Sequence, residues 1–265
     1  MATEARATAE GPVTASEVMV TAAARELKDG ETVVVGIGLP MIACTLAKST
    51  HAPDLTQLLE IGVADMHAVD TPAGLADPRI YYRATCWSGF LDTLGMSLHR
   101  GVVDVGFLGG LEVDRFGNSN TSLIKGPDGQ VRWMNGSAGA NDVASHAKRL
   151  MIILRHGKRK LPAAVSYLTS PGFPNGRSRQ ELGMRGGGPY RIITDMAVLG
   201  FNPLTHEAEM LSIHPGLKVQ DVLDNTGFKL HVPDVLPTTD IPTDEELRLL
   251  REEIDPQRIF LKEKD

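Results

Sequence analysis

The 265-residue chain predicts an α/β fold: an open, mainly parallel sheet with flanking helices and a small β-rich appendage. Three observations lead there. Short apolar runs such as Thr32 to Val35 and Val102 to Leu108 have the β-branched character of buried strands. Helical segments of roughly ten residues alternate with them, as βαβ units require. Glycines follow the strand ends, at Gly36, Gly62 and Gly109-Gly110.

In order along the chain, residues 1–13 are rich in Ala, Thr and Glu and read as a disordered lead-in; one domain is expected over 14–265. Thr14 and Glu17 make a T-x-x-E capping box that opens a helix through Leu27, closed by Asp29-Gly30. A strand over 32–35 turns through Gly36-Ile37-Gly38-Leu39-Pro40 into a helix over 41–48. The next strand, 56–60, ends on Glu60. Tyr81-Tyr82-Arg83 reads as a short strand or a loop, and 91–100 as a helix. Strands follow at 102–108, 149–154 and 191–194. The runs 197–201 and 210–214 flank a polar turn and predict a hairpin, so the appendage is placed near 190–235. A helix over 219–225 stops at Gly227. Thr243 and Glu246 form a second capping box, opening a helix to about Ile254 that Asp255-Pro256 ends. Gly/Pro-rich loops cluster at 72–78, 126–129, 136–142 and 171–189. The last, with Arg177, Arg179, Arg185 and Gly186 to Gly188, reads as a mobile surface loop.

Composition narrows the function. The net charge of −6 argues against nucleic-acid binding, and an anionic ligand would need local groups to hold it. No run of eighteen apolar residues exists, so no membrane span is expected. The N-terminus lacks a secretory h-region. Cys44 and Cys86 have neither metal-type nor disulfide-framework spacing, and a cytoplasmic setting is the simplest reading. The histidines form no H-x-x-x-H pair, so no metal is expected.

Glu60 is the most informative residue. An apolar strand that delivers one carboxylate and is followed by Gly62 fits two chemistries. In the first, Gly36-x-Gly38 after a strand, with Glu60 further on, forms most of a dinucleotide fingerprint. Met41 stands where the third glycine belongs, however, and Pro40 removes an amide where a pyrophosphate needs one. In the second, Glu60 is an acyl acceptor. A glutamate is ionised at neutral pH without a helper base, and it attacks a thioester directly if amides are aimed at the developing oxyanion. Gly109-Gly110 at a strand end and the small-residue loop 136–142 offer such amides. No G-x-S-x-G elbow is present, which weakens a serine hydrolase.

The second reading gains from a resemblance. Val35-Gly36-Ile37-Gly38-Leu39-Pro40, Ala52-Pro53-Asp54, Glu60-Ile61-Gly62, Gly109 to Asn118, Ser137-Ala138-Gly139-Ala140-Asn141, Thr169-Ser170-Pro171-Gly172, Asn225-Thr226-Gly227-Phe228 and Arg251 to Pro256 resemble, in order, the β-subunit family of glutaconate CoA-transferases, class I. The resemblance covers about 15–258. It implies a class I CoA-transferase-like fold, a separate α subunit in a heterodimer or heterotetramer, no cofactor beyond CoA as substrate, and Glu60 as the nucleophile. It places the oxyanion and CoA-facing loops on Gly109, Gly110, Gly139 and Ala140, with Gly38, Gly62, Asn118 and Asn120 in support. Two points qualify it. Ile61 replaces the usual small or polar residue after the glutamate, which implies a drier or tighter acyl pocket. Relatives also decarboxylate CoA esters or hydrolyse C–C bonds, which the resemblance associates with loss of that glutamate. Further candidates are His51 as a pocket-lining residue, and the basic run Lys148, Arg149, Arg155, Lys158, Arg159 and Lys160 as a phosphate contact or a solvated face. Trp87 and Trp133 read as core or interface residues.

Overall fold

A computed structural model describes residues 11–66, 71–126 and 128–262; most of the predicted lead-in and the last three residues lie outside it. The first element, α1 (Ala15–Arg25), starts at the predicted capping box. Thr14 accepts from the Glu17 amide, and Glu17 accepts from the Thr14 amide. Four strands of mostly β-branched or aliphatic residues make a parallel core: β1 (Thr32–Val35), β2 (Thr56–Leu59), β5 (Val105–Gly109) and β10 (Arg149–Ile153). A fifth, β11 (Pro189–Ile193), joins them in parallel. The helix α2 (Leu39–Ser49) crosses from β1 to β2.

The full sheet has nine strands, with the parallel five in the middle and antiparallel pairs at both edges. One edge is β3 (Val63–Ala64) and β4 (Cys86–Trp87). The other is the predicted hairpin, β12 (Ala197–Phe201) with β13 (Ala208–Ile213). That hairpin is not an appendage. Its inward residues Ala197, Leu199, Ala208 and Met210 are buried, and β12 pairs with β11, so it extends the main sheet. The separate β structure lies instead between β5 and β10: a two-stranded ladder of β6 (Glu112–Val113) with β7 (Ser119–Asn120), and another of β8 (Leu123–Lys125) with β9 (Val131–Trp133).

Two apolar cores cover the sheet faces. Leu59, Val63, Val105 and Phe107 pack with α1, α2 and the C-terminal segment; Val34, Leu150, Ile152 and Leu199 pack with α3 (Ala140–His146) and α4 (Val219–Asp224). The C-terminal helix α5 (Asp244–Arg248) opens at the second predicted capping box and runs into a π-helical turn, Leu249–Ile254. Its tie to α1 is reciprocal. Arg251 grips the first box's Glu17 at 2.7 Å, and Arg25 grips the second box's Glu246 at 2.7 Å. Each glutamate thus caps its own helix and binds the neighbouring one.

Three local readings need correction. The segment 81–83 is not a strand: Tyr81 ends a 3-10 turn, Pro78–Tyr81, in which Pro78 sets φ and the Asp77 carboxylate takes the Arg79 amide, and Tyr82 and Arg83 continue as turn. Residues 91–97 form a π-helical turn rather than a regular helix. The loop 171–188 is also not a free surface loop. Arg179 is 6% exposed, and its guanidinium donates to the carbonyls of Pro171, Gly172, Ala144, Ser145 and Gly186. It pins the loop to the C-terminal end of α3, where helix carbonyls lack partners. Burial pulls its pKa down to about 10.

Candidate active site

Parallel strands put their carboxyl ends on one edge, and β1, β2 and β5 finish there in register: Val35 beside Leu59 and beside Phe107. Gly36 to Gly38, Glu60 and Gly109-Gly110 therefore share that edge, where open α/β sheets bind ligands. Glu60 is the first residue beyond β2. The chain reverses through Ile61-Gly62 into β3, with the Gly62 amide donating to the Leu59 carbonyl at 3.0 Å. Gly62 has φ +95°, and a Cβ there would run into the Ser88 carbonyl of the neighbouring segment. Only glycine makes this turn at this packing distance.

The Glu60 carboxylate meets the start of α3. Oε2 accepts the Gly139 amide at 3.1 Å, and Oε1 accepts no hydrogen bond from the described residues. A Cβ on Gly139 would lie 2.6 Å from Oε2 and 2.8 Å from a Leu94 methyl, so the close approach depends on the missing side chain. The preceding residue, Ala138, sits at φ +41°, a strained conformation for a residue with a Cβ. Ile61, the residue after Glu60, has a contact of its own. It is half-buried and packs on the core that contains Leu59 and Val63.

The loop carrying Gly139 is held from behind by buried polar residues. Asn118 donates to Asp114 at 3.0 Å and accepts the Gly172 amide at 2.9 Å. Asn120 donates to Glu112 and to the Leu123 carbonyl, both at 2.7 Å, and accepts the Ser122 amide. Glu112 also takes the amide and hydroxyl of Ser166. Thr121 reaches the Gly136 carbonyl at 2.7 Å, and the Asn141 amide group reaches the Thr169 carbonyl at 2.8 Å. Burial raises the Asp114 pKa, against hydrogen bonds from Asn118 and the Phe116 amide that lower it. Ser166 lies in no segment that the sequence singled out, and although Glu112 and Thr169 do, nothing in the spacing shows that 110–123, 136–141 and 166–172 meet.

Other candidates separate from Glu60. Gly109 is exposed at the end of β5, and no hydrogen bond joins it or Gly110 to Glu60. The Ala140 amide is taken by the Ser137 carbonyl at 2.9 Å, so it is not a free oxyanion donor. Gly38 caps α2 at φ +111°, and the Gly36 amide is used by the Phe107 carbonyl, which makes the glycine pair a βα turn. His51 hydrogen-bonds the Leu27 carbonyl at 3.1 Å, before β2 begins and so away from the edge where Glu60 stands. Half of the basic run is paired: Lys148 with Asp104, Arg149 with Glu31 and Arg155 with Asp195. Trp87 and Trp133 are 68% and 76% exposed, so neither is core. Metal-type residues do converge at His99, Asp142 and His146, whose ligand atoms lie within 4.8 Å of one another. An ion bound by two imidazoles lies in both ring planes. Here the rings stack face to face at 3.8 Å, an arrangement of ring contact rather than shared ligation.

Comparison with known proteins decides what kind of scaffold this is. The family model for coenzyme A transferase matches residues 16–225. The chain belongs to the coenzyme A transferase family. The β subunit of 3-oxoadipate CoA-transferase from Pseudomonas knackmussii is 35% identical, covering 89% of this chain and 91% of the relative. The β subunit of glutaconate CoA-transferase from Acidaminococcus fermentans is 32% identical over 94% of this chain and 95% of the relative. A crystal structure of glutaconate coenzyme A-transferase from that organism superposes with a TM-score of 0.88 at 30% identity, covering 96% of this chain and 99% of that one. The IpdB subunit of a cholesterol ring-cleaving hydrolase from Mycobacterium tuberculosis is 31% identical over 93% of this chain and 96% of the relative. The chain is thus a CoA-transferase subunit of the β type, with the expected α/β fold. Among the described residues no helix is long and apolar enough to cross a membrane.

Proposed function

We propose that this chain is the β subunit of a heteromeric enzyme that moves CoA between an acyl-CoA and a dicarboxylate, with Glu60 as the covalent carrier. The observation that supports this reading is the Glu60 carboxylate standing at a strand end, with one oxygen on the Gly139 amide and the other unbonded among the described residues. One Glu60 oxygen attacks the thioester carbon and expels CoA thiolate, leaving a mixed anhydride. The thiolate attacks the glutamyl carbonyl, releases the first carboxylate and forms a glutamyl–CoA thioester. The acceptor carboxylate attacks that thioester, and the returning thiolate takes the new acyl group and frees Glu60. One thioester replaces another, so no metal, ATP or redox cofactor enters. The Gly139 amide steadies the carboxylate before attack and afterwards faces the oxygen that becomes the anhydride carbonyl.

Water would hydrolyse both intermediates, so the site must be covered. Around the Glu60 hairpin and the Gly139 loop the surface is apolar: Trp87, Phe90, Leu91 and Trp133 are exposed, Leu91 by 77%. A face of this kind marks an interaction surface. An α subunit, expected from relatives that are themselves named as subunits, is its occupant. A dicarboxylate substrate carries a second carboxylate that needs a cationic partner. That second carboxylate is inferred from relatives named for 3-oxoadipate and glutaconate. Acyl-CoA chemistry fits a cytoplasmic setting.

The test is peptide mass mapping of the complex after incubation with glutaryl-CoA, glutaconyl-CoA and 3-oxoadipyl-CoA. A CoA-sized adduct on the Glu60 peptide, discharged by a carboxylate acceptor, is expected. Consumption of the ester with an unmodified Glu60 peptide would replace this reading with C–C hydrolysis, the chemistry named for the 31% relative.

A further inference from the structure

Parallel strands end at one edge in the order β10-β5-β1-β2, so the end of β10 stands three strand spacings, about 14 Å, from the end of β2 that carries Glu60. The ends of β1 and β5 lie between. There Gly36, Gly38, Gly109 and Gly110 present backbone without side chains, and Ile37 packs on the α2 side of the sheet. The loop that leaves β10, residues 154–161, packs on the α3 side, the side on which Glu60 meets Gly139. Its Leu161 is buried in the core that holds Leu94, the residue against Gly139.

This loop is fixed in its backbone and unpaired in its charges. The Lys160 and Leu161 amides both donate to the Gly157 carbonyl at 2.8 Å. The Lys160 and Leu161 carbonyls accept the amides of Val113 and Gly227, each at 2.8 Å. Lys158 and Arg159, between these ties, are exposed. Arg149 and Arg155 are neutralised by Glu31 and Asp195, whereas Lys158, Arg159 and Lys160 meet no carboxylate among the described residues. Consecutive like charges without a counter-charge repel one another, and here they stand in a chain whose net charge is −6. An anion relieves that repulsion. An ammonium beside a guanidinium suits phosphate oxygens in particular, which take the first as a point charge and the second as a fork of donors.

We propose that the loop holds the phosphates of CoA, with Lys158 and Arg159 on the phosphate oxygens. The pantetheine arm then lies across the bare glycine turns after β5 and β1 and brings the thioester to Glu60. The direction of that arm rests on the reading of Glu60 as the reacting group. The experiment is calorimetric titration of the purified complex with CoA and with pantetheine, which has no phosphate. Wild type is compared with Lys158→Ala/Arg159→Ala, and thermal melts check that the variant is folded. CoA should bind the double variant about tenfold or more weakly, through loss of charge-assisted contacts, while pantetheine treats both proteins alike. Added salt should weaken CoA binding to the wild type and narrow the gap. Lys28→Ala, an exposed change before β1 and so at the opposite edge of the sheet, should leave CoA affinity within about twofold. No saturable CoA binding to the wild-type complex, unchanged CoA affinity in the double variant, or an equal loss for pantetheine would overturn the proposal. The titration involves no chemistry. An unmodified Glu60 peptide would therefore remove the carrier role and leave the phosphate site standing. A Glu60 adduct with unchanged CoA affinity in the double variant would remove the phosphate site alone.

Discussion

Gly139→Ala separates the geometry around Glu60 from general glycine flexibility. Gly139 lies at φ −80° and ψ −3°, which alanine adopts freely, so the backbone adds no penalty. The added methyl would stand 2.6 Å from Glu60 Oε2, and 2.8 and 3.0 Å from the two Leu94 methyls. Such spacings are far tighter than ordinary van der Waals contact, so both neighbours must move. Displacing the carboxylate loses a charge-assisted hydrogen bond of about 1.5–3 kcal/mol, which corresponds to roughly ten- to a hundredfold in transfer rate if the bond also serves the transition state. Crowding Leu94 should lower stability by about 1–3 kcal/mol. The two effects are separable. Leu94→Ala in the Gly139→Ala background relieves the crowding and should recover part of the stability, but it leaves the methyl against the carboxylate, so the rate stays low. Single-turnover acyl transfer in the complex and thermal unfolding of the same samples read the two quantities. A Gly139→Ala enzyme with wild-type rate and stability would show that the Gly139–Glu60 contact has no part in the reaction.

Glu60→Gln keeps the shape and removes the proposed nucleophile, so transfer should fall by several orders of magnitude, on the order of 10⁴ or more as for other covalent nucleophiles, with Tm little changed. Arg179→Met should destabilise by about 3 kcal/mol, since several carbonyls around the 171–188 loop lose their donor, and limited proteolysis should then cut within that loop. His156 is wedged between the Thr194 and Thr226 hydroxyls, and burial depresses its pKa to about 4. The unfolded chain therefore binds a proton there near pH 6.5 while the folded chain stays neutral until about pH 4. Stability present above about pH 6.5 is lost as pH falls through that window, by up to about 3 kcal/mol at its lower end. His156→Asn should flatten the slope of denaturant-derived stability between about pH 6.5 and 4, and an unchanged slope would refute the assignment.

The parts of the fold legible in the sequence were those fixed by local chemistry. Thr14 with Glu17 and Thr243 with Glu246 are three residues apart, and the energetics of a capping box are complete within that span. The run at 32–35 needs only its own β-branched residues. What failed depended on distant partners. The 197–213 hairpin reads as a hairpin from its own turn, but its place in the main sheet is set by the pairing of Ile192 with Leu199, an edge that local pattern does not reveal. The loop 171–188 reads as mobile from its glycines and arginines, yet one buried guanidinium binds it to α3. Ile61 sits next to Glu60 in sequence, and its packing against the core around Leu59 and Val63 was not readable from that position. Glu60 itself was legible as a strand-end acid; its contact with Gly139, 79 residues on, was not.

The same reasoning explains why the family-like motifs are made of turn residues rather than of obvious catalysts. Gly109 to Asn118, Ser137 to Asn141 and Thr169 to Gly172 each look like loop chemistry alone. In the structure they form one hydrogen-bonded unit: Asn118 to Gly172, Thr121 to Gly136 and to Thr169, Asn141 to Thr169. None of these bonds touches Glu60. Their combined effect is to fix the height at which the Gly139 amide leaves the loop. A shift of even about 0.5 Å there would break the 3.1 Å bond or bury the carboxylate against Leu94. A carboxylate in the proposed covalent role needs little help to be a nucleophile but much help to be in one place. The polar residues behind the loop serve that second need, so substitutions such as Asn118→Ala should lower the transfer rate through Gly139 while leaving the chemistry of the glutamate itself intact.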